Sequence, residues 1–187
     1  MTTCEICHKE LLQAISTFDQ PYHYTESGLS DVYLVNVTTH SCPNCDVQVA
    51  DIPRMNELHQ LISKVIILTP SPVTGEQFRF LRKETRLRPK EFAERVGVDP
   101  KTVANWERAD TLNRQNDLAI RFFVAAELFE GNELKKVVSQ LNELSEFSWE
   151  QEGEVVLDEV QKSEIDELAA TNTFLGITSD DGWGLAA

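Results

Sequence analysis

The residues best equipped for chemistry are four cysteines, which come as two alike pairs, Cys4-Glu-Ile-Cys7 and Cys42-Pro-Asn-Cys45. Two intervening residues let both thiolates of a pair reach one tetrahedral ion at about 2.3 Å, and two pairs together complete a zinc coordination sphere. With four protein ligands no position is left for water or substrate, so the expected Zn2+ is structural rather than catalytic. The 34 residues between the pairs exceed the roughly 15 to 20 of the usual motif, which leaves room for a strand or hairpin. Other readings stay open on these residues alone. Cys4-Glu-Ile-Cys7-His8 also spells a haem-attachment sequence, which needs an exported chain, and a CxxC can be a redox pair, which wants a βαβ context. The cysteines can also be two unrelated pairs of buried thiols. His8, His23, His40 and His59 are each able to replace a cysteine as ligand, although surface or packing roles suit them better.

A second group lies between Arg88 and Arg108, RPKEFAERVGVDPKTVANWER. Pro89 suits a first helical turn, where its missing N–H would have had no partner. Phe92 and Val96 form an i, i+4 apolar pair, and small Ala93 permits close approach of a second helix. Gly97 falls where the chain must turn, a position that favours positive φ. Asp99 followed by Pro100 is an N-cap and a first helical residue, so a second helix is expected to start there. At 100° per residue Val103 and Trp106 share one side of it, and Lys101, Thr102, Asn105 and Arg108 the other. Such a division lets one face pack on its partner helix while the other enters a DNA major groove. Asparagine bonds both N6 and N7 of adenine, lysine donates to guanine, and the threonine methyl touches thymine. Arg88, Lys90 and Arg108, near helix ends, are placed for phosphates.

The elements that must position these groups follow from periodicity. Asp31–Thr39, rich in β-branched and aromatic residues, predicts one strand, with another at Val47–Val49. Residues 54–68 repeat apolar side chains at Met55, Leu58, Leu61, Ile62 and Val65, an amphipathic helix. Two prolines and a glycine in Thr69–Gly75 oppose its continuation and predict a domain boundary. Short consecutive helices are expected from Glu76 to about Gly131. Between Asn113 and Phe129 an apolar stripe through Leu118, Phe122, Ala125 and Phe129 predicts core or a dimer interface. A short helix is expected at 163–170. The fold class is therefore mainly α with a small N-terminal α+β zinc-binding domain at 1–70. A helix-turn-helix DNA-binding domain is expected at 71–132, and a partly disordered acidic extension at 133–187.

Net charge is −14 for 187 residues, which argues against phosphate binding until its distribution is considered. Residues 1–71 sum to −5, residues 72–126 to +3 and residues 127–187 to −12, so a basic block lies between two acidic ones. Phosphate neutralisation requires lysine and arginine, and the central block has them. The acidic extension fits solvated chain, a shield over the DNA-binding face, or a site for a basic partner with Phe147, Trp149, Phe174, Leu175 and Trp183 as apolar anchors. The start lacks a basic stretch leading into an apolar core, and no run approaches the ~20 apolar residues that span a bilayer, so a cytoplasmic protein without membrane attachment is expected.

The segment Phe78–Arg108 resembles the helix-turn-helix of the Xre, or lambda/434 repressor, class. Together with CEIC and SCPNC it resembles the zinc-finger plus helix-turn-helix antitoxins of the MqsA type, over about residues 1–125. The resemblance implies a lambda-repressor-like domain in a homodimer that represses its own operon from a palindromic site in double-stranded DNA, and in many members neutralises a toxin encoded beside it. By position it implies base contacts from Lys101, Thr102 and Asn105, and phosphate contacts from Arg88 and Arg108. The closing Leu185-Ala186-Ala187 is similar to the end of the bacterial tag that directs proteins to energy-dependent proteases, a turnover partner suited to an antitoxin. No enzymatic role is expected. The alternatives are a zinc-finger protein-interaction adaptor and a stand-alone helix-turn-helix regulator without a toxin.

Overall fold

The computed structural model describes residues 3–146, 173–177 and 183–185. Packing divides the chain into two units, one formed by Met1–Leu58 with Thr171–Ala187 and the other by His59–Ala170. No helix among the described residues is long and apolar enough to cross a membrane.

The first unit contains two small sheets. In one, β1 (Leu12–Ile15), β4 (Thr38–Ser41) and β5 (Gln48–Asp51) pair antiparallel in the order β1-β4-β5, with Leu12 opposite Ser41 and Ser41 opposite Gln48. In the other, β2 (Tyr22–His23) pairs antiparallel with β3 (Val32–Val35). β6 (Thr173–Ile177) lies parallel to β3, Val32 opposite Thr173, and β7 (Trp183–Leu185) closes the sheet antiparallel to β6. Tyr22, Tyr24, Leu29, Leu34, Val35 and Val37 form the buried core.

The single strand expected over Asp31–Thr39 is thus two strands in different sheets. The break falls at Asn36, whose φ of +60° no extended strand can hold. Ser16 fixes the break from both sides: its carbonyl accepts the Asn36 N–H at 2.9 Å, and its hydroxyl accepts the Val37 N–H at 3.1 Å.

Helix α1 (Met55–Leu68) agrees with the expected periodicity, except that Met55 is exposed. The division between units falls within it. The second unit continues with α2 (Gly75–Glu84), α3 (Pro89–Val96), α4 (Pro100–Trp106), α5 (Arg114–Leu128) and α6 (Gly131–Glu146). Local capping explains most starts. Thr74 and Gln77 form a capping box, Asp99 accepts the Lys101 N–H at 2.7 Å, and Asn113 accepts the Asn116 N–H at 3.0 Å.

Phe78 is the centre of the helical core. Its ring meets Phe92 at 5.4 Å and Trp106 at 5.6 Å, both edge to face, and Phe92 meets Phe123 at 5.0 Å. Beneath this layer α5 carries a fully buried ion pair, Asp117 with Arg121. Arg121 donates to the carbonyls of Ile66, Ile67, Thr69 and Ser71, and Asp117 accepts the Val73 N–H at 2.7 Å. The α1–α2 connection is therefore held by side chains of α5.

The acidic extension expected to be partly disordered contains, among its described residues, most of α6 and the strands β6 and β7. Val137, Leu141 and Leu144 repeat at helical spacing on α6 and are buried. Phe174 and Leu175 fall on β6, Trp183 and Leu185 on β7, while Phe147, Trp149, Ala186, Ala187 and the helix expected at 163–170 lie outside the described residues. Of the expected stripe, Ala125 and Phe129 are buried while Leu118 and Phe122 are half-buried, and Ile120 and Val124 beside it are buried. The exposed large hydrophobic residues found among those described are Ile6, Leu12, Ile15, Phe18 and Met55, all in the first unit.

Candidate metal centre and candidate nucleic-acid interface

The two CxxC loops fold alike. The Cys4 N–H donates to the Lys9 carbonyl at 2.8 Å, and the Cys42 N–H to the Val47 carbonyl at 2.9 Å, five residues on in each case. The residue after each second cysteine is left-handed, His8 at φ +58° and Asp46 at φ +54°. That turn brings each loop back on itself. β-Branched residues are poorly suited to it, whereas histidine and aspartate are among the non-glycine residues that tolerate it. The first cysteine of each loop is buried and the second half-buried.

The loops converge. The four sulfurs of Cys4, Cys7, Cys42 and Cys45 all lie within 4.8 Å of one another, and Cys7 and Cys42 approach to 3.4 Å without a disulfide. A tetrahedral ion with ligands at about 2.3 Å requires sulfur–sulfur edges of about 3.8 Å, so small adjustments admit a metal ion. The thiols also conflict electrostatically in the absence of one. The Lys9 backbone holds Cys7 below the usual thiol range, while the neighbouring Cys7 sulfur pushes Cys45 up to about 12. As thiolates, four sulfurs packed this closely could share one cation, and the donor set is compatible with a metal site.

The histidines considered as alternative ligands have other roles. His23 donates from Nε2 to the Ser30 carbonyl at 3.1 Å and stacks on Tyr33. His40 meets Asp51 at 2.8 Å and holds that carboxyl below its usual range, and His59 meets Glu84 at 2.9 Å. His8 is an exposed turn residue outside the sulfur cluster.

In the second unit α3 and α4 are joined by a turn through Gly97, at φ +78°. Glu91 secures the start of α3 by accepting the Arg88 N–H at 2.8 Å. On α4 Val103 and Trp106 are buried, whereas Lys101 and Asn105 are exposed. Thr102 is half-buried, less outward than its helical angle predicts. Arg88, Lys90 and Arg108 are exposed, Lys90 reaching Glu94 at 4.0 Å.

Two features that hold α4 in place have weak sequence signals. Arg82, nearly buried on α2, donates to Glu107 Oε1 at 2.6 Å and to the Leu87 carbonyl at 2.9 Å. It ties the end of α2, the following turn and the end of α4 together, and Arg79 adds a longer contact to Glu107. Gly75 is the second feature. Its N–H donates to the Ala109 carbonyl at 3.0 Å, and an added Cβ would lie 2.6 Å from that oxygen. The T-x-x-Q capping box beginning at Thr74 places this glycine on the first turn of α2, but its contact with the far end of α4 has no local signature.

The chain matches no family model, no curated protein and no solved structure.

Proposed function

We propose that this chain is a sequence-specific DNA-binding protein that acts as a homodimeric transcriptional repressor. The observation that carries the reading is the division of α4, whose Val103 and Trp106 are sealed into the core while Lys101 and Asn105, with Arg108 in the turn just beyond, are exposed. α4 is the recognition helix of a lambda-repressor-like pair, and it enters the major groove with α3 above it. Lys101 and Asn105 read base edges, Thr102 adds a methyl contact at the margin, and Arg88, Lys90 and Arg108 serve the phosphates. In a homodimer two such helices address half-sites one helical turn apart, so the operator is palindromic.

The metal is Zn2+, held by Cys4, Cys7, Cys42 and Cys45, and its work is structural, since two short sheets make a small core. The resemblance to MqsA-type antitoxins extends the reading to autoregulation and a toxin partner. A stand-alone regulator and a protein-interaction adaptor are the competing forms. The exposed Ile6, Leu12, Ile15 and Phe18 favour a protein-binding role for the first unit in addition to DNA binding.

A gel shift with duplex DNA from upstream of the chain's own reading frame tests the proposal. Wild-type protein is expected to retard that duplex in the presence of excess unrelated DNA. The pair Lys101→Ala and Asn105→Ala is expected to abolish the retardation with an unchanged helical circular-dichroism spectrum. Equal retardation by both proteins would overturn the reading.

A further inference from the structure

Asn105, near the end of α4, and Arg108, in the turn that follows it, are not independent. An Arg108 Nη2 N–H donates to Asn105 Oδ1 at 3.1 Å, three residues back along the chain. A guanidinium has donors only, so the atom facing it must be the amide oxygen, and the orientation of the Asn105 amide is decided by chemistry. The nitrogen Nδ2, with its two N–H donors, is thereby turned away from Arg108. The oxygen keeps a second lone pair. Among the described residues no other hydrogen bond engages the Asn105 side chain.

One donor and one remaining acceptor, held in a fixed order, are what adenine requires, because its N7 accepts and its N6 amino group donates in the major groove. Guanine presents two acceptors there and would leave the amide oxygen facing an acceptor. We propose that Arg108 is a positioning residue for specificity: it locks the Asn105 amide in the sense that reads adenine, rather than serving only as a phosphate contact. The inference rests on the DNA-binding reading and refines it. Fixing the amide before encounter also removes an ordering cost from recognition, since an exposed asparagine otherwise samples both senses.

The test uses the full chain loaded with metal and a pool of duplexes with randomised base pairs, from which the wild-type protein selects a preferred site. Single-position variants of that site are then titrated by fluorescence anisotropy at several salt concentrations. Asn105→Ala identifies the base pair it reads, which is expected to be adenine-containing and discriminated by about tenfold or more in the wild type. Arg108→Met is expected to reduce discrimination at that same pair to within about threefold, and Arg108→Gln, which keeps an amide donor, to retain part of it. Adding Arg108→Met to Asn105→Ala is expected to cause no further loss at that pair, which a purely structural role would not produce. An unchanged circular-dichroism spectrum and an unchanged urea midpoint show that the variants remain folded.

Discrimination preserved in Arg108→Met overturns the inference. If the salt dependence also falls by about one counterion, Arg108 is a phosphate contact only. A base pair other than adenine–thymine at the Asn105 position overturns it as well. A wild-type protein that selects no sequence overturns instead the DNA-binding reading on which the inference stands.

Discussion

Arg121→Met is the perturbation whose consequence the structure defines most closely. The guanidinium is 1% exposed and sits between Asp117 and four backbone carbonyls of the α1–α2 connection. Methionine fills much of the same volume but donates nothing. Its introduction leaves Asp117, also 1% exposed, as a buried carboxylate whose remaining partner is the Val73 N–H. Removing one member of a buried pair costs about 3–5 kcal/mol, chiefly through the stranded charge. The orphaned carbonyls lie partly at the edge of the site and can recruit water, so the lower half of that range is expected. For a unit of this size that corresponds to a fall in Tm of roughly 10 °C or more. Urea unfolding followed by circular dichroism at 222 nm measures it directly. The double variant Asp117→Asn with Arg121→Met removes the stranded charge and is expected to recover about half the loss, a coupling that a double-mutant cycle isolates. A loss below about 1 kcal/mol for Arg121→Met, or additivity of the two substitutions, would show that the pair does not fasten the connection as described.

Two glycines are expected to fail for different reasons. Gly97→Ala has open space around the new methyl group but keeps a left-handed φ, and is expected to cost about 1–2 kcal/mol in urea melts. Gly75→Ala has an ordinary φ but meets the Ala109 carbonyl, and is expected to cost about 1–3 kcal/mol by the same measurement and to weaken DNA binding through displacement of α4. Glu107→Gln strands the nearly buried Arg82, with an expected loss of about 2–3 kcal/mol in urea melts. Chelation is expected to release one metal ion per chain and to abolish protease resistance of the first unit while the helical signal of the second persists. Cobalt substitution should give the absorption of a tetrahedral four-thiolate site, which a mixed sulfur–nitrogen set would not.

Much of the candidate site could be read in advance because its signals are local. A CxxC loop needs only its own few residues, and the same is true of the Asp99-Pro100 helix start and the 3.6-residue rhythm of α1 and α4. The features that escaped are those whose energy comes from partners far along the chain. Nothing near Glu107 indicates that Arg82 will reach it, and nothing near Gly75 indicates that the end of α4 will pack on it. The pairing of β3 with β6 joins segments that lie on either side of the six described helices, and no local pattern announces a parallel strand partner at that distance. Asn36 misled for a related reason. A run of β-branched and aromatic residues reads as one strand, and only the hydrogen bonds from Ser16, on a distant segment, make the left-handed break worth its cost. The acidic composition beyond Gly131 concealed α6 because its buried face is a narrow stripe of Val137, Leu141 and Leu144 among charged and polar neighbours.

The outward face of α4 is the centre of the account, and backbone amide chemical-shift mapping reports on it residue by residue. Titration of isotope-labelled full chain with the selected duplex is expected to shift the amides of Gly97 and of Lys101 to Arg108 first and most, with Arg88 and Lys90 following. A titration in which α4 is silent while another surface responds, or in which no resonance moves at low salt, would contradict it.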